Sequence, residues 1–270
     1  GVKTPPSIHY GSNAISGVIN IITKRKDDNS LVALRGGSHD HYYGFAGLVE
    51  DGYTFAGSLK RDKGYNYNGT KDESGNDVNL DYHDNLGNFF ADIYGDSWHI
   101  QSAYFDLDEQ KFGATPNIFH TGANNQESFY VDINKNFLLN NGKLDLYLRY
   151  DNFKKDLEFE HFPTPGDSLI RAQNTVDRFS TKLQYSDQLL SDLSYIVGVD
   201  GEFDRTTGFL FVDQTGNILV NSSPFQEDHD FHTIAAYLQL DYTINKKLQT
   251  VLGLRVENNS DYGVSKVFPK

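Results

Sequence analysis

Strict alternation of apolar and polar residues, renewed in segments of about ten, constrains this chain more than any other feature. In 143–151, Leu144, Leu146, Leu148 and Tyr150 share one face, and Lys143, Asp145, Tyr147, Arg149 and Asp151 share the other. Residues 193–204 set Leu193, Tyr195, Val197, Val199 and Phe203 against Ser194, Asp200, Glu202 and Asp204. In 233–244, Ile234, Ala236, Leu238, Leu240 and Tyr242 oppose Thr233, Tyr237, Gln239 and Asp241, and 128–137 behaves in the same way. A period of two means strands, because successive side chains point to opposite faces of a sheet. The sequence therefore predicts an all-β chain, an antiparallel meander.

About eleven strands are expected, near 30–37, 41–50, 53–62, 86–95, 97–108, 127–138, 143–155, 173–187, 191–205, 232–245 and 247–258. Five connections are tight: Asp51-Gly52, Gly95-Asp96, Leu139–Gly142, Gln188–Leu190 and Asn245-Lys246. Four are long: Lys63–Asn85, Glu109–Gln126, Asp156–Ala172 and Thr206–Phe231. Short and long alternate, so tight turns gather at one end of the sheet and long loops at the other. Only Ser38–Asp40 is short where a long connection is due.

Soluble sandwiches distribute loops over both ends, whereas transmembrane β-barrels keep turns on the periplasmic side and loops outside. The strand lengths suit a tilted membrane strand of about 9–11 residues. No apolar stretch approaches the ~18 residues of a membrane helix, and mean hydropathy is only -0.55. A dry core would bury Asp145, Arg149, Asp200, Glu202, Lys182 and Arg178 with few partners, which is costly. A wet or plugged lumen removes that cost, and outer-membrane lipid takes the apolar face. The aromatic share of 14% argues against disorder. The absence of Cys excludes thiolate metal sites and Cys nucleophiles, and a net charge of -13 disfavours nucleic acid. The absence of Met suggests a processed or excised chain. An odd strand number cannot close a bacterial barrel, so a piece of a larger barrel is expected.

Residues 10–24, YGSNAISGVINIITK, depart from this pattern. Val18, Ile19, Ile21 and Ile22 make a short, nearly continuous apolar run, the mark of a strand covered on both faces. The stretch closely resembles the end of the plug domain of TonB-dependent outer-membrane receptors. Tyr10, Gly11, Ala14, Gly17, Val18, Ile19, Asn20, Ile21, Ile22, Thr23 and Lys24 carry the resemblance. More loosely, Gly253–Glu257 with Asp261–Gly263 is similar to a mid-barrel strand and loop of that family. The resemblance implies a plug end at 1–26 and the N-terminal half of a receptor barrel at 27–270, out of about 22 strands. It also implies uptake of a scarce nutrient, foremost a ferric siderophore, powered by TonB with ExbB and ExbD. A passive porin or adhesive barrel stands as the alternative.

No catalytic constellation emerges, and the chain is not expected to be an enzyme. Loop aromatics beside polar groups form the candidate ligand site: Tyr65 and Tyr67; Phe112, Asn117, Phe119 and His120; Phe159, His161 and Phe162; Phe209, Phe211 and Phe225. They either cover a ligand from above or pack loop against loop. Trp98, Tyr53 and Tyr150 fit an interfacial girdle better. Phe209–Val212 and Ile218–Val220 are expected to pair as a hairpin. His39 with His41, and His229 with His232, are spaced to share a metal ion, although polar loops also simply collect His and Asp. Asp72 and Asp77 belong to a partial calcium-loop pattern in which position six is Asp77 instead of Gly and position twelve is His83 instead of Glu. No cofactor is expected beyond a loop-bound calcium. The loops are acidic, which favours neutral or cationic ligands.

Overall fold

The structure is a computed structural model that describes residues 29–64, 66–71, 77–81, 83–111, 122–160, 169–208, 210–212, 227–245, 248–261 and 265–269. The stretch at 10–24 lies outside the described residues. Fifteen strands follow in chain order: β1 Leu31–Gly37, β2 His41–Glu50, β3 Tyr53–Asp62, β4 Asn66–Lys71, β5 Asp77–Asp81, β6 His83–Gly95, β7 Trp98–Lys111, β8 Gly122–Leu139, β9 Gly142–Glu160, β10 Leu169–Leu190, β11 Leu193–Thr206, β12 Leu210–Val212, β13 His229–Asn245, β14 Leu248–Asn259 and β15 Ser265–Pro269. One antiparallel sheet takes them in the order β1-β2-β3-β6-β7-β8-β9-β10-β11-β13-β14-β15, with β12 on β10, while β4 and β5 pair separately. The expected meander is present, and β15 adds a strand beyond the eleven by pairing Leu254 with Pro269.

Hydrogen-bond register keeps the alternation in phase from strand to strand. Leu183 lies opposite both Leu146 and Val199, and Leu238 lies opposite both Val197 and Leu254. Leu148 meets Ile133. All these side chains share one face, on which Val199 is 50% exposed and Leu252 58%. Burial runs the other way on the second face. Thr54, Ser58, Asp92, Glu109, Asn124, Asp132, Asp204, Gln239 and Arg255 are buried there, beside Ala172, Ala235 and Tyr237. A water-soluble domain buries its apolar side chains and leaves charges outside. Here the sidedness is inverted.

Tight turns close the hairpins at one end of the sheet. Gly52 takes φ 91° and Asn140 φ 43°, the left-handed values that short hairpins need. Tyr94 donates its amide to the Gly52 carbonyl at 2.8 Å, tying that turn to β6. Two turns fall slightly beyond the sequence reading, at Asp96-Ser97 and Ser191-Asp192. At the long-loop end the strands outrun their expected limits: β8 starts at Gly122, β9 ends at Glu160 and β10 starts at Leu169. Polar residues on both faces erase the alternation there, while backbone pairing continues regardless. Cross-strand side chains replace apolar contact, as where Gln173 donates to Asp156 at 3.1 Å. Leu210–Val212 pairs with Arg171–Gln173 of β10, and Ile218–Val220, the other arm of the expected hairpin, lie outside the described residues.

Gly198 is required by close approach. It sits opposite Tyr237, whose ring folds over it so that the hydroxyl donates to Gln184 Oε1 at 2.9 Å. A Cβ on Gly198 would meet the Tyr237 ring at 2.4 Å and the Leu183 carbonyl at 3.0 Å. Gly198→Val should therefore cost about 1–3 kcal/mol and lower the temperature at which the detergent-solubilised protein loses its folded gel mobility. Gly201→Ala, whose Cβ meets Thr181 Cγ2 at 3.7 Å and the Thr233 carbonyl at 3.8 Å, both ordinary contacts, should leave that temperature unchanged.

Candidate functional site

The buried polar face carries a network of ion pairs and hydrogen bonds among the described residues. Arg149 donates from Nε to both Asp151 oxygens at 2.9 and 2.8 Å, and from Nη1 to Asp132 at 3.0 Å. Its guanidinium lies 4.5 Å from the Tyr130 ring centre, and Tyr130 donates to Gln101 at 3.1 Å. Further round the sheet, Arg255 grips Asp200 with two bonds of 2.6 and 2.8 Å and donates to Glu257 at 3.0 Å. Tyr237 receives two cations at its ring, Lys182 at 5.5 Å and Arg255 at 5.9 Å. Arg178 pairs with Asp204 and lies 3.8 Å from Glu202. Forked Arg–carboxylate pairs tolerate burial because two parallel bonds fix their geometry.

Asp132 Oδ1, Asp204 Oδ2 and Gln239 Oε1 are buried on this face without a hydrogen-bond partner among the described residues, while Asp145 Oδ1, buried likewise, has Lys143 Nζ at 2.8 Å. A buried acceptor without a donor costs about 1–3 kcal/mol. The face is thus short of donors and suited to a surface that brings N–H or O–H groups. Alternation places Asp132 and Gln239 on the polar face from sequence, together with Arg149, Asp145, Asp200, Glu202, Lys182 and Arg178, but not Arg255. Arg255 lies opposite Tyr237 on β14, so continuing the register from β13 would have found it.

Tyr65, Phe112, Asn117, Phe119, His120, His161, Phe162, Phe209, Phe225 and Asp72 lie outside the described residues. Tyr67 pairs with Leu80 in the β4–β5 hairpin, where Asp77 pairs with Lys71. That hairpin occupies part of the long Lys63–Asn85 connection. Phe159 pairs with Ile170 and Phe211 with Ala172, which places both near the long-loop end of β10. His39 contacts Ser38 Oγ at 3.1 Å, and His41 contacts Asp62 at 3.0 Å. His229 reaches Asp261 at 3.0 Å, whereas His232, three residues along β13, falls on the opposite face. Among the described residues no three of His, Cys, Asp or Glu are grouped to hold a metal ion.

The short Ser38–Asp40 connection has its own brace. His39 and Asp40 take φ 64° and 53°, and Lys63 at the start of the next loop donates to Asp40 at 2.7 Å. Lys63, through that bond and its charge, holds the Asp40 carboxyl below its usual range. A depressed carboxylate contributes above its unfolded pKa and loses the contribution as pH falls through the folded one. Exchange protection of the His41 amide should therefore hold at pH 5 and fade only below the ordinary carboxylate range. Lys63→Ala should lower that protection at neutral pH, as followed by hydrogen exchange. Protection unchanged by both treatments would contradict the brace.

The family described as TonB dependent receptor-like, beta-barrel, matches residues 52–270. No curated protein matches the chain in sequence. Among solved structures, the ferric yersiniabactin uptake receptor FyuA from Yersinia pestis is similar at 13% identity and TM-score 0.62, covering 98% of this chain and 46% of that one. The siderophore receptor PirA from Acinetobacter baumannii is similar at 16% identity and TM-score 0.60, covering 97% and 43%. The copper transporter OprC is similar at 15% identity and TM-score 0.56, covering 92% and 41%. The chain thus spans less than half the length of these structures, and at such identity the likeness is one of fold. With the match across residues 52–270, the inverted sidedness and the antiparallel meander, the chain belongs to the TonB-dependent receptor β-barrel family.

Proposed function

We propose that this chain forms part of the wall of an outer-membrane receptor that takes up a scarce nutrient actively, foremost a ferric siderophore. Another metal chelate, haem or cobalamin completes the ligand class. The observation that carries the reading is the inverted sidedness: a continuous apolar face for outer-membrane lipid, and a buried, donor-poor polar face for a filled lumen. A plug domain that presents Lys, Arg or backbone N–H groups would complete Asp132, Asp204 and Gln239. The stretch at 10–24 is the proposed end of that plug. The outer loops capture the ligand, with Tyr65, Phe119, His161 and Phe225 among the proposed contacts.

Release is proposed to draw on TonB with ExbB and ExbD, which couple the inner-membrane proton gradient to the plug. The neighbours that take up ferric yersiniabactin and copper support a metal-bearing ligand. Acidic residues at the long-loop end such as Asp108, Asp156, Glu227 and Asp228 favour a neutral or cationic one.

Uptake of radiolabelled iron, supplied as chelates to cells expressing the intact receptor, tests this directly. Loss of the gene or addition of a protonophore should abolish accumulation of one chelate. Accumulation that persists with a protonophore and follows the concentration gradient would point to a passive pore instead.

A further inference from the structure

The β4–β5 hairpin leaves the main sheet after Asp62 and returns to it at His83, and a histidine meets an aspartate at each of these points. His41, the first residue of β2, has Nδ1 3.0 Å from Oδ2 of Asp62, the last residue of β3. His83, the first residue of β6, has Nε2 3.5 Å from Oδ1 of Asp108 on β7. The departing chain is fastened to the same carboxylate, since Gly64 donates its amide to Asp62 Oδ1 at 2.8 Å. At the returning end Asn85 donates to Asp108 at 3.4 Å.

Neighbouring charges have their own places. Around His41, Arg35 of β1 lies over the Tyr43 ring at 5.6 Å, Lys60 of β3 pairs with Asp84, and Lys63 pairs with Asp40. Around His83, Arg61 of β3 and Asp106 of β7 share its face, while Asp84 and Glu109 alternate to the other. Neither histidine belongs to a metal-holding group among the described residues.

Both contacts lie beyond Leu59, the last apolar residue that β3 places on the apolar face, and all four side chains keep part of their surface open. The Gly64 amide and then His41 hold the Asp62 carboxyl below its usual range. That acid therefore stays ionised wherever histidine changes charge, between about pH 5 and 8. Imidazolium meets a carboxylate both as an opposite charge and as a donor, whereas neutral imidazole offers a hydrogen bond at most. Each contact is thus strongest in mildly acidic medium and weakens as pH rises through the histidine range.

We propose that these two His–Asp contacts make the base of the β4–β5 hairpin a proton-sensitive hinge, fastened in mildly acidic medium and loosened in mildly alkaline medium. Its consequence for uptake rests on reading the outer loops as the ligand-capturing surface. The hinge then holds the strand that carries Tyr67 in one position in acid and frees it in alkali.

Hydrogen exchange of the intact, ligand-free receptor in detergent tests the hinge, read as protection factors so that the pH dependence of exchange chemistry cancels. Amides of Asn66–Lys71 and Asp77–Asp81 should be about fivefold better protected at about pH 5.5 than at about pH 8. The double variant H41Q/H83Q, uncharged there at both values, should lose that difference and keep the folded gel mobility. If it fails to fold, the single variants H41Q and H83Q should each remove part of the difference. Amides beside the Gln173–Asp156 contact, which closes its loop base without histidine, should not change. Equal protection at both pH values in the wild type would overturn the proposal. So would a difference that survives in the histidine variants, or an equal change beside Gln173. The expected protection pattern in a receptor that accumulates no iron chelate would leave the hinge standing and contradict the uptake reading instead.

Discussion

Register is the constraint on which everything else in this sheet depends. A slip of one residue between two strands moves every side chain of one of them to the other face. Here such a slip would drive Arg149, Asp200 or Arg255 among leucines and expose leucines to a charged lumen. Leu183 against Leu146 and Val199, and Leu238 against Val197 and Leu254, hold the phase over successive strands. The Arg255–Asp200 fork acts from the polar side, reaching from β14 past β13 to β11. Both faces therefore reward one alignment, and together they specify it.

The same constraint explains which parts of the fold were legible in the sequence. Where one face is apolar and the other polar, as in β9 from Leu144 to Tyr150, the period reports the strand and its face directly. The hairpins announced themselves through Asp51-Gly52 and Asn140-Asn141, whose residues accept left-handed backbone values. The signal fades where both faces are polar. Asn124 and Gln126 stand in a stretch of β8 that no hydrophobic pattern marks, because the backbone ladder there is supported by side-chain hydrogen bonds. Asn124, for instance, donates to Glu109 at 3.1 Å. For β12 the residues were legible and the partner was not: Leu210–Val212, expected as one arm of a hairpin, pairs with β10, and local sequence does not state that partner.

The site divides along the same line. Charged positions at the polar parity were readable, and the structure assembles them into the Arg149 and Arg255 clusters. Partnerships were not readable, because Arg255 meets Asp200 across 55 residues of chain. Buried acceptors such as Asp204 Oδ2 and Gln239 Oε1 are likewise a property of packing, invisible to composition. Loop aromatics were chosen by residue type alone, since type is all that a loop without periodicity offers.

The central claim, that alternate residues of these strands face lipid and lumen, is tested most directly by single spin labels. The chain has no cysteine of its own to compete with a label placed in it. In the intact protein reconstituted in bilayers, labels at Leu146, Val197 and Leu238 should relax with dissolved oxygen and ignore a water-soluble nickel chelate. Labels at the neighbouring Tyr147, Ile196 and Gln239 should not show that oxygen preference. Equal behaviour at both parities, or apolar positions shielded from both relaxants as in a closed core, would contradict the account.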